Sequence, residues 1–155
     1  MVNMQANRLQ QTLLRSQNPK LYFIAFEPMM LKKSEAKSLK AGKLIALGKT
    51  LPQLYIYRKG SVVGQVQLGA VDGQASVIVS AKERMDNLGK PESKYLVLEC
   101  RIALLPKQEF VVGKLVKLPK DALSHIVLFV KQEIIATASL LQNKEGYFLQ
   151  IEASE

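Results

Sequence analysis

Tryptophan is absent from the 155 residues, cysteine and histidine occur once each, and aspartate occurs three times. These shortages exclude a good deal. A single thiol, Cys100, rules out an intramolecular disulfide and any cage built from cysteine ligands, and it suits a reducing compartment. In Leu96-Val97-Leu98-Glu99-Cys100-Arg101-Ile102, read as a strand, residues 96, 98, 100 and 102 share one face, so Cys100 reads as a buried structural thiol. His125 stands alone at the expected start of a strand. Asp72 and Asp121 fall in turn sequences and Asp86 in a polar stretch, with no second carboxylate at a recognisable spacing. An active site needs a constellation. No nucleophile elbow, phosphate loop or dinucleotide fingerprint occurs. Ser34, Ser61, Ser76 and Ser80 have no neighbours that would activate them. The glycines at 60, 64, 69 and 73 span strand, turn and strand, which reads as tight β-turns rather than a phosphate cradle. The expectation is a protein that is not an enzyme and uses no cofactor or metal.

Long apolar runs are missing too. No stretch reaches the eighteen residues of a membrane span. Gln5, Asn7, Arg8, Gln10 and Gln11 interrupt the N-terminal segment where a secretory leader would be apolar. A cytoplasmic location is expected.

What is present is ordinary globular material: 48% hydrophobic and 23% charged residues, the apolar ones mostly aliphatic. A chain of this length can bury roughly 68–70% of its unfolded surface. The net charge is +9, unevenly spread. Lys32, Lys33, Lys37, Lys40, Lys43 and Lys49 lie close together, with Glu35 the one acidic residue among them. Such a segment is either a solvated face or a field for an acidic partner, nucleic acid or an anionic membrane surface. Its lack of aromatic residues argues against a base-stacking platform.

Residues 1–19 read as an N-terminal amphipathic helix, with Val2, Ala6, Leu9 and Leu13 at helical spacing and Asn18-Pro19 as a stop. From Leu21 the period becomes two. Strands are expected over Leu21–Phe26, Leu44–Leu47, Leu54–Tyr57, Val62–Leu68 and Ala75–Val79. A helical turn is expected over 34–41, capped by Ser34 and ended by Gly42. Asp72-Gly73 signals a hairpin. Residues 82–94 are polar, punctuated by Gly89 and Pro91, and read as a linker.

After the linker the pattern returns. Gly42-Lys43-Leu44-Ile45-Ala46-Leu47 recurs as Gly113-Lys114-Leu115-Val116-Lys117-Leu118. Leu54-Tyr55-Ile56-Tyr57 recurs as Ile126-Val127-Leu128-Phe129, and Val77-Ile78-Val79 as Leu149-Gln150-Ile151. The offset is 71 residues at first and 72 later. Each unit of about sixty residues is too small to bury much alone. The runs at 54–57 and 126–130 are apolar on both faces and need cover on both. Two repeats, 20–81 and 95–155, that cover each other as a pseudo-twofold, intertwined, mainly β body satisfy both demands.

The repeat unit resembles the SPOA (surface presentation of antigens) domain, shared by the flagellar motor-switch proteins FliM and FliN and by inner-ring or sorting-platform proteins of type III secretion. Residues 42–47 with 54–79 look like one copy. Residues 96–102, 113–118 and 126–151 look like a second, closer one. Both copies carry Gly-Lys, at Lys43 and Lys114, where the family has Gly-Asp. The resemblance implies a structural component of a cytoplasmic ring, peripheral at the cytoplasmic face of the inner membrane. Its partners would be other SPOA proteins and flagellar or type III export-apparatus proteins, with no specific nucleic acid. It also implies a partner-binding patch on the last hairpin, at Leu140 and Leu141, which point to opposite faces. A basic β-domain that binds nucleic acid or an anionic membrane surface is the alternative.

Overall fold

The computed structural model describes residues 22–58, 61–71, 74–81, 93–105, 111–119 and 121–154. The chain is mainly β. Its strands are β1 (Tyr22–Phe26), β2 (Met29–Lys32), β3 (Leu44–Gly48), β4 (Leu54–Arg58), β5 (Ser61–Val71), β6 (Gln74–Ala81), β7 (Tyr95–Leu105), β8 (Leu115–Lys117), β9 (Ile126–Val130), β10 (Glu133–Asn143) and β11 (Gly146–Ser154). One short helix, α1 (Lys33–Lys37), and a 3₁₀ turn at Ala122–Ser124 complete the described elements. The expected helix over 1–19 and most of the expected linker, 82–92, lie outside the described residues.

The strands form one antiparallel sheet in the order β3-β11-β10-β9-β7-β1-β4-β5-β6-β8, with β2 beside β7. Neighbours in sequence make the hairpins, as β-branched and aliphatic runs joined by tight turns do. The two end strands break that locality. β3, from the N-terminal half, adds to β11, and β8, from the C-terminal half, adds to β6. The halves meet where β1 runs antiparallel to β7, pairing Tyr22 with Leu105 and Ala25 with Arg101.

The register of one half recurs in the other. Leu54↔Val66, Ile56↔Gly64 and Tyr57↔Val62 are matched, 72 residues on, by Ile126↔Ala138, Leu128↔Ala136 and Phe129↔Ile134. The bulge recurs too: Val63 is skipped in one ladder and Ile135 in the other. Gly42 N–H donates to the Ile151 carbonyl at 2.8 Å and Ile151 N–H to the Lys43 carbonyl at 2.8 Å. At the other end, Gly113 N–H donates to Val79 at 2.7 Å and Val79 N–H to Lys114 at 3.0 Å. Gly42 and Gly113 take φ of 92° and 90°. That region strains any residue with a Cβ, which is why glycine precedes lysine in both copies.

Because side chains alternate across a strand, the central strands bury two faces. Ile24, Phe26, Leu54, Ile56, Val66, Ile126, Leu128, Leu149 and Ile151 belong to the main core. Phe23, Ala25, Tyr57, Val62, Val127 and Phe129 form a smaller cluster on the opposite face. Every residue of β9 is buried.

Several local expectations need correction. The helical turn is α1, Lys33–Lys37, preceded by Lys32 in an extended conformation with no side-chain cap. Ser34 therefore does not cap it. Ser38 closes it instead, its hydroxyl donating to the Glu35 carbonyl at 3.1 Å. Gly42 belongs to the separate turn into β3. The return strands are longer than the apolar pattern suggests, reaching Val71 and starting at Gln74, because ladder pairing extends to the hairpin tip. β2 has no periodic signal and exists because β7 is long enough to pair with it, Met29↔Leu98 through Lys32↔Tyr95.

Candidate interaction surfaces

The chemistry-bearing residues of the sequence are scattered. Cys100 is buried, and burial, with the Glu99 carboxylate second, pushes its thiol well above the usual range. His125 is exposed just after the 3₁₀ turn, and Asp121 is exposed just before it with φ of 64°. Asp72 and Asp86 lie outside the described residues. Among the described residues no three His, Cys, Asp or Glu side chains converge to hold a metal ion, and no helix is long and apolar enough to cross a membrane. Lys32, Lys33, Lys37, Lys40 and Lys49 are exposed, while Lys43 is partly covered and donates to the Ser38 hydroxyl at 2.6 Å.

Two adjacent leucines in β10 separate as strand geometry demands. Leu140 pairs with Leu149 and packs against the main core, whereas Leu141 is 38% exposed and pairs with Phe148 on the outer face. Phe148 in turn sits opposite Ala46 of β3. Leu44, on the same face of β3, is 46% exposed. Leu141, Phe148 and Leu44 thus give the outer face of the β10-β11-β3 end an apolar character. The hairpin tip that frames this face is tightly built. Glu145 N–H donates to the Asn143 side-chain oxygen at 2.7 Å. Gly146 has φ of 135°, and a Cβ there would collide with the Gly48 carbonyl.

The middle of the molecule holds a feature that apolar patterning did not reveal. Arg101 is buried in β7, its guanidinium 4.3 Å from the centroid of the Phe23 ring and 4.0 Å from that of Phe129. Its Nε donates to the Glu99 carboxylate at 3.1 Å. Tyr57 stacks on Phe23 with centroids 5.5 Å apart. Its hydroxyl is buried with no hydrogen-bond partner among the described residues. Burial above all, then the charges of Glu99, Tyr55 and Glu27, raises the phenol far above its normal range. The proton is thus held more tightly in the folded than in the unfolded chain, and this group's share of stability declines once pH rises past about 10. The signal was available: an arginine inside the apolar run Leu96–Leu105 has to find either solvent or an aromatic and acidic lining. The cluster ties β1, β7 and β9 together where the halves meet.

No model of a known protein family matches the chain, and no curated protein matches it in sequence. The class that fold and surface define is a mainly β protein of one antiparallel sheet, with apolar side chains displayed on its outer faces and edges.

Proposed function

We propose that the chain is a non-enzymatic assembly component of a cytoplasmic ring beneath a flagellar or type III secretion base. It is built from two SPOA-like units intertwined about a pseudo-twofold axis. The observation that carries the reading is the exchange of end strands. Under the correspondence β1/β7, β3/β8, β4/β9, β5/β10 and β6/β11, the strand order reads the same from either end, and each half is completed by a short strand of the other. Strand-exchanged pairing is what the resemblance to SPOA domains implies, and the matched bulges and Gly-Lys turns support it at the level of single residues. Such a body works by presenting surfaces. Its partners are other SPOA-domain proteins and export-apparatus proteins, which hold it at the inner face of the membrane, and the exposed Leu141 of the second unit forms part of the docking patch. Leu140 supports that patch from the core side.

The test is capture from native bacterial cytoplasm by the tagged full chain and by Leu141→Asp. The parent is expected to retain flagellar or secretion components. The variant should lose them while its unfolding free energy from a urea melt stays within about 0.5 kcal/mol of the parent's, as surface changes do. A folded variant that captures equally well overturns the patch. A parent that captures no such component, or that binds nucleic acid tightly at physiological salt, overturns the ring assignment.

A further inference from the structure

The sheet has two end strands, and β8 is bonded on one side only among the described residues. Val79 exchanges its backbone bonds with Gly113 and Lys114, and two residues further on Val116 faces Val77. In an antiparallel ladder, residues alternate between those bonded to the neighbour and those turned away. Leu115 and Lys117 therefore direct their N–H and C=O groups outward, away from β6, as an open template for an added strand. Ser76, opposite Lys117, is fully buried, but several apolar side chains around that template are exposed. Leu115 is 42% exposed and lies opposite Ile78 at 44%, while Val111 and Val112, in the turn leading into β8, are 49% and 61% exposed. Isolated surface leucines are common, but four large apolar side chains on one strand pair and its entry turn mark a binding surface. The corresponding positions at the opposite edge are Lys40, Ala41, Leu44 and Gln150, so the feature is specific to one end.

We propose that the β8 edge receives an extended segment of a partner protein, bonded through the backbone of Leu115 and Lys117. The segment carries an apolar side chain against Leu115 and Ile78, and an acidic side chain against Lys117 two residues away on the same face. Charge selects this occupant. Lys117, exposed and two residues from Leu115 on the same face, is basic in a chain of net charge +9. A second copy approaching by either edge would bring Lys43 and Lys49, or Lys114 and Lys117, against it, and lysine on an edge strand is a known device against self-pairing. An acidic strand converts Lys117 from a barrier into a recognition element. This surface lies at the opposite end of the sheet from Leu141 and does not depend on the ring assignment.

The experiment is fluorescence anisotropy of the full chain with a short labelled peptide in which valine and glutamate alternate with threonine, placing the valines and glutamates on one face. A second peptide carries lysine in place of glutamate. Saturable binding of the acidic peptide is expected, with the lysine peptide about tenfold weaker, equivalent to ~1.4 kcal/mol. Lys117→Pro removes one outward N–H and no ladder bond, a position where an edge strand tolerates proline, and should abolish binding with the circular dichroism unchanged. Lys117→Glu leaves the backbone intact and should invert the peptide preference, so it carries the test if the proline variant does not fold. Equal binding of both peptides, no binding of either, or undiminished binding by folded Lys117→Pro overturns the proposal. Capture of ring components by the Leu141 face is a separate readout and is unaffected by these outcomes.

Discussion

At one end of the sheet, Leu141, Phe148 and Ala46 lie in a row across β10, β11 and β3; at the other, the row in the same register is Gly69, Ser76 and Lys117. The next rows are Ser139, Gln150 and Leu44 against Gln67, Ile78 and Leu115. Beneath them, on the inner face, Leu140, Leu149 and Ile45 answer Leu68, Val77 and Val116, aliphatic at every position. The backbone is thus specified from the inside, by buried aliphatic side chains and by the glycine turns at Gly42 and Gly113. The outer faces are free to diverge, and they do: Phe148 is half-buried and Leu141 exposed at one end, whereas Ser76 is fully buried and Ile78 exposed at the other.

The largest effect should come from the inner rows, where the ends are alike. Leu149 and Val77 are both fully buried. Leu149→Ala should cost about 2–5 kcal/mol through lost transfer energy and the cavity left behind. Val77→Ala removes fewer carbon atoms, each worth roughly 0.8 kcal/mol plus its share of cavity, and should cost less. Because β3 completes the C-terminal half and β8 the N-terminal half, either substitution should lower a single cooperative transition in urea. A biphasic transition in Leu149→Ala, with one half melting ahead of the other, would break the picture of one interdependent body.

The hairpin tips separate the ends next. Gly146 combines φ of 135° with a close approach to the Gly48 carbonyl, so Gly146→Ala must strain the backbone and displace the end of β3. A loss of about 3 kcal/mol is expected, at the upper end of what a strained backbone position costs. The corresponding residue at the other tip, 72 positions earlier, is Gln74 and not glycine. A Gly146→Ala variant that melts in urea together with the parent would show that this tip does not hold the end of β3.

Much of the fold was legible. β4 and β9 announce themselves as apolar runs with no polar face, and such runs have to be covered on both sides. The recurrence of glycine, lysine and aliphatic positions has the same 71- and 72-residue offsets as the ladders. The pairing of Ile45 with Leu149, 104 residues apart, has no local signature, since period and propensity describe a strand and not its neighbour. β2 was invisible because Met29-Met30-Leu31-Lys32 has no alternation and depends on β7 for its existence. Of the candidate surface, the opposite facing of Leu140 and Leu141 follows from strand geometry. Which of them is exposed does not, because that depends on which side the core occupies. The Arg101 cluster and the β8 edge need the tertiary arrangement, which brings Phe23 and Phe129 to the arginine and Ile78 to Leu115.

The smallest effect is the sharpest test of likeness. Gly42 and Gly113 have φ within two degrees of each other, and a Cβ at either would meet nothing within 4 Å. Replacing either with alanine should therefore cost backbone strain alone, about 1–2 kcal/mol for a left-handed conformation in an L-residue, with no steric supplement and no cavity. The two losses should agree within about 0.3–0.5 kcal/mol, and the double variant should lose their sum to the same tolerance, as distant sites without shared partners do. Urea melts of the two single variants and the double measure this directly. A large difference between the single variants would mean that one end strand is held by something besides its ladder, and the outer-face asymmetry would then extend into the backbone. Non-additivity would mean that loosening β3 at one end is felt by β8 at the other, which requires the central β1–β7 junction to transmit it.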